Sequence, residues 1–101
     1  MDIRKLVESL LGAEAVAGLV PGRILAVDDD DGNLAVLEDL LEDDYEVITS
    51  DSPAAALGLF ETQHFDLVIS DQRMPGMTGV QMLSRIRERA PDTARIIVSA
   101  Y

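Results

Sequence analysis

The spacing of apolar and polar positions changes period repeatedly along this chain, and each change marks an element. "RILAVD" at 23–28 is a short, nearly continuous apolar run with β-branched members, the pattern of a strand covered on both faces. "GNLAVLEDLLEDD" then sets Leu34, Leu37 and Leu41 on one helical face with acids opposite, and Asp31 is placed to cap the start. "YEVIT" at 45–49 reads as a second strand. Ser52 as N-cap and Pro53 at the first helical position open a second helix. "FDLVISD" at 65–71 is a third strand, and Thr78 with Gln81 three residues on forms a capping box for a third helix. Val80, Leu83 and Ile86 are expected on that helix's inner face, Pro91 stops it, and "ARIIVS" at 94–99 is a fourth strand.

From residue 23 the order is therefore βαβαβαβ. Helical crossovers between short apolar strands imply an α/β fold, a doubly wound parallel sheet with helices on both faces. In such sheets chemistry gathers at the carboxyl ends of the strands, where Asp28, Asp71 and Ser99 all fall. Ahead of the first strand, Ile3, Leu6, Val7, Leu10 and Leu11 form an apolar stripe over 2–19, and "VPGR" breaks that helix. The chain thus divides into an amphipathic helix and linker, 1–22, and an α/β unit, 23–101.

Composition narrows the function. Nineteen acids against eight bases give a net charge of −11, which disfavours direct contact with nucleic acid or an anionic membrane. Residues 24–51 hold eleven acids and no base, while Arg85, Arg87, Arg89 and Arg95 cluster late in the chain as a solvated face. There is no cysteine, so disulfides and thiolate metal sites are excluded. No apolar run approaches the ~18 residues of a membrane span and no secretory signal is present, so the cytoplasm is the expected compartment. His64, the only histidine, is expected on the surface without a second ligand for a metal.

Solubility accounts for most of the acidity but not for "DDDD" at 28–31, driven into the end of a strand. If Asp28, Asp29 and Asp71 converge, each pair ~4 Å apart repels by about 4 kcal/mol at an effective dielectric near 20. Either a proton is retained or a cation joins them. Carboxylate oxygens without nitrogen or sulfur donors favour Mg²⁺, which binds through one or two carboxylates plus a phosphate. The acids themselves thus point towards phosphoryl chemistry.

An Asp-Asp pair ending the first strand, "DQRMPGMTG" at 71–79 after the third and "VSA" at 98–100 after the fourth closely resemble the receiver domain of two-component response regulators. The resemblance runs from Arg23 to Tyr101. It implies a flavodoxin-like or CheY-like fold, with Asp71 as phospho-acceptor from a histidine kinase or phosphotransfer protein. It further implies that Asp29, Asp71 and the backbone carbonyl of Arg73 ligate Mg²⁺, that Asp28 holds a water of the ion, and that Ser99 hydrogen-bonds the phosphoryl group. Such a domain is not an enzyme, although it assists its own phosphorylation and dephosphorylation. Gly76 and Gly79 are expected to serve the loop's backbone geometry.

Two other families use similar acids. An EF-hand loop needs its glycine sixth, and counting back from Gly32 puts Val27 where the first acid belongs. Asp29, Asp31, Gly32 and Asn33 are similar to the nucleophile loop of haloacid-dehalogenase-like phosphatases, but that family needs a downstream lysine and none follows Lys5. Against a complete receiver, this sequence stops before the last helix, strand and helix, and so before the family's phosphoryl-pairing lysine. An uncovered fourth strand with "IIV" at its centre would then invite self-association, by edge pairing, strand exchange or packing of the helix over 2–19. That helix has a second option, lying beside the first helix of the α/β unit. Two functional classes follow: a phosphorylation switch, or a receiver-derived dimerisation module that signals without phosphate.

Overall fold

The computed structural model describes residues 3, 5–7, 9–10 and 22–98. Seven elements alternate along it: β1 (Arg23–Val27), α1 (Asp31–Leu41), β2 (Glu46–Ser50), α2 (Pro53–Leu59), β3 (Leu67–Ser70), α3 (Gly79–Arg89) and β4 (Ala94–Ile97). The strands form one parallel sheet in the order β2-β1-β3-β4. Ile24 pairs with Val47 on one side and Leu67 on the other, and Leu67 in turn with Ala94.

Strand periodicity sends alternate residues to opposite faces, and each face builds its own core. Leu25, Val27 and Val68 face α2 and α3, packing with Ala56, Phe65, Met74, Met82, Leu83 and Ile86. Ile24, Leu67 and Ile69 face the other way, against Leu41 and Tyr45. The doubly wound α/β architecture expected from the sequence is what the chain adopts. The limits of β1, β3 and β4 contract by a residue or two at their ends and β2 shifts by one, so that Asp28 and Asp71 stand just beyond β1 and β3.

The N-terminal segment joins the second of these cores. Residues 3, 5–7 and 9–10 are helical, and Val7 is fully buried among Ile24, Leu41, Tyr45, Leu67 and Ile69, with Ile3 packed alongside. The described residues of this segment thus lie on α1's side of the sheet; the rest of the helix expected over 2–19 falls outside the described residues. Burying a valine is worth ~1.5–3 kcal/mol. Val7→Asp is therefore expected to lower the unfolding free energy by about 2 kcal/mol in urea, for loss of that burial. An unchanged midpoint would mean that the segment adds nothing to the packing.

Two local expectations need correction. The N-cap of α1 is Asp30, not Asp31: Asp30 has extended backbone, and its Oδ1 accepts from the N–H groups of Gly32 (2.8 Å) and Asn33 (3.3 Å). Asp31 instead occupies the first turn, where a negative charge suits the helix's positive end. On α3, Val80 is 53% exposed, and Met82 takes the inner position with Leu83 and Ile86. The caps of the other helices form as read, Ser52 with Pro53 behind it and the Thr78–Gln81 box.

At the amino ends of the strands, Arg23 ties three strands together. Its N–H donates to Asp66 Oδ2 (2.8 Å), its Nε to Glu46 Oε2 (2.9 Å), and its Nη atoms to the His64 carbonyl (2.9 Å) and Gln63 Oε1 (2.8 Å). The guanidinium also lies 5.1 Å from the Phe65 ring centroid. His64 is exposed, with Nε2 3.3 Å from Asp66 Oδ1. Arg85, Arg87 and Arg89 are exposed and Arg95 is half-buried, so the late arginines do form a largely solvated face. No helix among the described residues is long and apolar enough to cross a membrane.

Candidate functional site

β1 and β3 are neighbours, and their register pairs Val27 with Ser70. The next residue on each strand is an aspartate, so Asp28 and Asp71 leave the sheet side by side. Backbone bonds fix both: Asp71 N–H donates to Val27 O (3.0 Å) and Asp28 N–H to Ser50 O (3.2 Å).

The four consecutive aspartates divide their duties. Asp28 is buried, and both its oxygens are held: Oδ1 accepts from the Asp30 N–H (2.9 Å) and Oδ2 from Asn33 Nδ2 (3.1 Å). Asp30 and Asp31 are taken up by the start of α1. That leaves Asp29, exposed and without a donor among the described residues. Oxygens of Asp28, Asp29 and Asp71 all lie within 4.8 Å of one another. Among the described residues no hydrogen bond or ion pair reaches the carboxylates of Asp29 or Asp71. Arg23, Arg89 and His64 are paired elsewhere, with Glu46, Glu61 and Asp66.

Three converging carboxylates, one oriented by two donors and two unpartnered among the described residues, could hold a small hard cation. The donor set is all oxygen, as Mg²⁺ prefers. The acids line one end of a cleft of about 450 Å³, whose remaining wall includes Val36, Leu37, Ile69, Arg73 and Val98. Beside the anionic end there is thus room for a ligand group.

The loop after Asp71 is built to hold its place. Gly76 has φ of 82°, a backbone conformation that favours glycine. Gly79 packs so closely that a Cβ there would overlap the Asp71 carbonyl oxygen and lie 3.1 Å from Ser70 Oγ. That same carbonyl accepts from Ser70 Oγ at 2.8 Å.

The structure therefore brings together three of the residues singled out in the sequence, Asp28, Asp29 and Asp71, and sets Arg73 on the same cleft. Ser99 lies outside the described residues, although Val98 before it lines the cleft and bonds Ser70 O through its N–H (2.9 Å). Asp31, needed for the phosphatase-like reading, sits exposed in the first turn of α1 and is not one of the three converging acids. Sequence reasoning gave Asn33 no part in this site. The signal for it is weak, since an Asn five residues past an Asp meets it only once strand and helix are both in place.

Comparison with known proteins agrees with this geometry. The family model of the response regulator receiver domain matches residues 24–101. The hydrogenase transcriptional regulatory protein HoxA of Cupriavidus necator is 38% identical over 78 residues, 77% of this chain and 16% of HoxA. The chain thus spans about a sixth of the length of that relative. Among solved structures, the response regulator TrrA of Thermotoga maritima in complex with Mg²⁺-BeF is 37% identical, with a TM-score of 0.74 over 79% of this chain and 70% of TrrA. TrrA in complex with the histidine kinase ThkA gives a TM-score of 0.72 at 38% identity, over the same shares of each chain. Strand order, acid cluster and family match coincide over the same residues, and the chain belongs to the receiver domain family of response regulators.

Proposed function

We propose that this receiver is a phosphorylation switch in which Asp71 accepts a phosphoryl group from a phosphohistidine on a histidine kinase or phosphotransfer protein. The observation that carries the reading is the convergence of Asp28, Asp29 and Asp71 within 4.8 Å, with two of the three carboxylates unpartnered among the described residues. In the transfer an Asp71 carboxylate oxygen forms a bond to phosphorus. The bond between phosphorus and the imidazole nitrogen breaks, and its electron pair stays on the imidazole. Such a loose transition state needs positioning and charge neutralisation more than covalent assistance.

Asp29 and Asp71 would hold Mg²⁺ directly with the carbonyl of Arg73, while Asp28, fixed by its two donors, would hold a water of the ion. When bound, Mg²⁺ supplies the positive charge that lets an anionic donor approach three acids. Val98 lines the cleft, and Ser99, next in the sequence, would donate to the transferred phosphoryl oxygens. The TrrA complexes with Mg²⁺-BeF and with a kinase support both the ion and the partner class by likeness. The chain is not an enzyme acting on a separate substrate; it assists its own phosphorylation and dephosphorylation, and the cytoplasm is the compartment this role places it in.

A second reading has one observation in its favour. β4 has no strand beyond it among the described residues, and Ile97 and Val98 are 37% and 40% exposed. An edge of that kind suits pairing with another copy, so the chain would act as a dimerisation module. Incubation with a small-molecule phosphodonor and Mg²⁺, followed by intact mass, separates the two. The switch predicts a gain of one phosphoryl group that Asp71→Ala abolishes. No gain at any Mg²⁺ concentration would leave only the interaction module.

A further inference from the structure

A helix begins with N–H groups that have no partner inside it, and something outside must meet them. In α3 the capping box deals with one of these, since Gln81 N–H donates to Thr78 Oγ1 (3.2 Å). The next two are met by one residue seven and eight positions upstream. Gly79 N–H donates to the Gln72 carbonyl (3.0 Å), and Val80 N–H donates to Gln72 Oε1 (2.9 Å). Gln72 is the residue directly after Asp71 and directly before Arg73. Its backbone and side chain together pin the start of α3 to the loop that carries both.

The clamp is completed from the α3 side, where Gly79 has no Cβ and so lets the helix rest against the Asp71 carbonyl. Asp71's peptide is thus held by Val27 O, Ser70 Oγ and the approach of Gly79, while its carboxylate has no partner among the described residues. If the Gln72 amide were removed, the Val80 N–H would lose its acceptor, and the helix start would be held to the loop by the Gly79 N–H bond to the Gln72 carbonyl alone. Arg73 follows Gln72 directly, so its carbonyl shares whatever play the loop gains when the side-chain bond to Val80 is lost.

We infer that Gln72 is a positioning residue: by holding the N-terminus of α3 against the Asp71 loop, it sets the Asp71 carboxylate and the Arg73 carbonyl at the spacing that divalent-ion capture requires. This rests on the phospho-acceptor reading of the site and deepens it.

The test compares Gln72→Met, which keeps length but lacks the amide oxygen, with Gln72→Glu, which keeps an acceptor for Val80. Mg²⁺ affinity is read by NMR titration of the amides of 28, 29 and 71, stability by urea unfolding in chelator, and the bond itself by hydrogen exchange at Val80. Gln72→Met should weaken Mg²⁺ affinity about fivefold, the effect of one net hydrogen bond, and speed exchange at Val80. Gln72→Glu should bind Mg²⁺ at least as tightly as the parent and keep Val80 protected. A merely structural glutamine would lower the urea midpoint and leave Mg²⁺ affinity unmoved; that result overturns the proposal, as does equal impairment of both variants. A Val80 amide already exchanging freely in the unaltered chain also overturns it, without recourse to any variant. If the unaltered chain fails to bind Mg²⁺, the reading of the site falls and this role with it. If it binds and Gln72→Met binds equally well, only the positioning role falls.

Discussion

Asp29→Asn is expected to weaken Mg²⁺ binding by at least about a hundredfold, beyond the 10–100-fold that loss of an outer-shell partner costs, while leaving the metal-free fold at least as stable. Asp29 is exposed and, among the described residues, bonds to nothing; its structural contribution is repulsion towards Asp28 and Asp71. Removing that charge relieves the cluster, by under about 1 kcal/mol because water and salt screen an exposed group. The same charge change at Asp28 has the opposite sign. Asp28 is buried and accepts from Asp30 N–H and Asn33 Nδ2, so an amide there sets one donor against another. Asp28→Asn should therefore cost about 1–3 kcal/mol of stability, the penalty for an unmet buried group. Urea unfolding with and without Mg²⁺ reads both quantities, since an ion that binds only the native state adds RT ln(1 + [Mg²⁺]/Kd), about 2.7 kcal/mol at a hundred times Kd. Equal stability losses in both variants would mean that the acids serve packing and not a cation.

Gly79→Ala is the second large effect, and it acts through backbone contact. A methyl group there would collide with the carbonyl of Asp71, an atom already fixed by Ser70 Oγ. Neither side can yield cheaply: Gly79 begins α3, and Asp71 is tied to β1. Overpacking of this sort costs about 1–3 kcal/mol, and the relief available is to push α3 off the loop. Phosphorylation and stability should therefore fall together. Gly58→Ala in α2, where an added Cβ meets nothing within 4 Å, is the control and should be neutral or stabilising by up to about 1 kcal/mol. Unimpaired phosphorylation in Gly79→Ala would show that the close approach does not govern the site.

What the sequence disclosed and what it withheld separate along a physical line. Short apolar runs broken by amphipathic segments lead directly to a parallel sheet, and strand ends are where aspartates matter, so Asp28, Asp29 and Asp71 could be named from composition, spacing and resemblance. Caps that need only three or four residues, Ser52 with Pro53 and Thr78 with Gln81, were legible for the same reason. Asp30 against Asp31 as the cap of α1 was not, because either aspartate satisfies the local pattern and only the backbone decides. Val80 was misplaced and Met82 passed over because apolar residues at both positions fit a helical stripe, and only packing against the sheet decides which is buried. Asn33 and Gln72 gave no signal, since their partners are five and eight residues away and meet them only after folding. The N-terminal stripe announced an apolar face without saying what it covers; Val7 buried against Ile24 and Ile69 answers that.

The claim on which the function rests is that positions 28, 29 and 71 act together, gripping a divalent cation next to an acid that becomes esterified. Intact mass of the chain after exposure to a small phosphodonor, once in Mg²⁺ and once in chelator, with the modified residue located by fragmentation, probes it most directly. One phosphoryl group on Asp71, present with Mg²⁺ and absent with chelator, is the predicted outcome. Phosphate on another residue, or the same uptake in chelator, would contradict it.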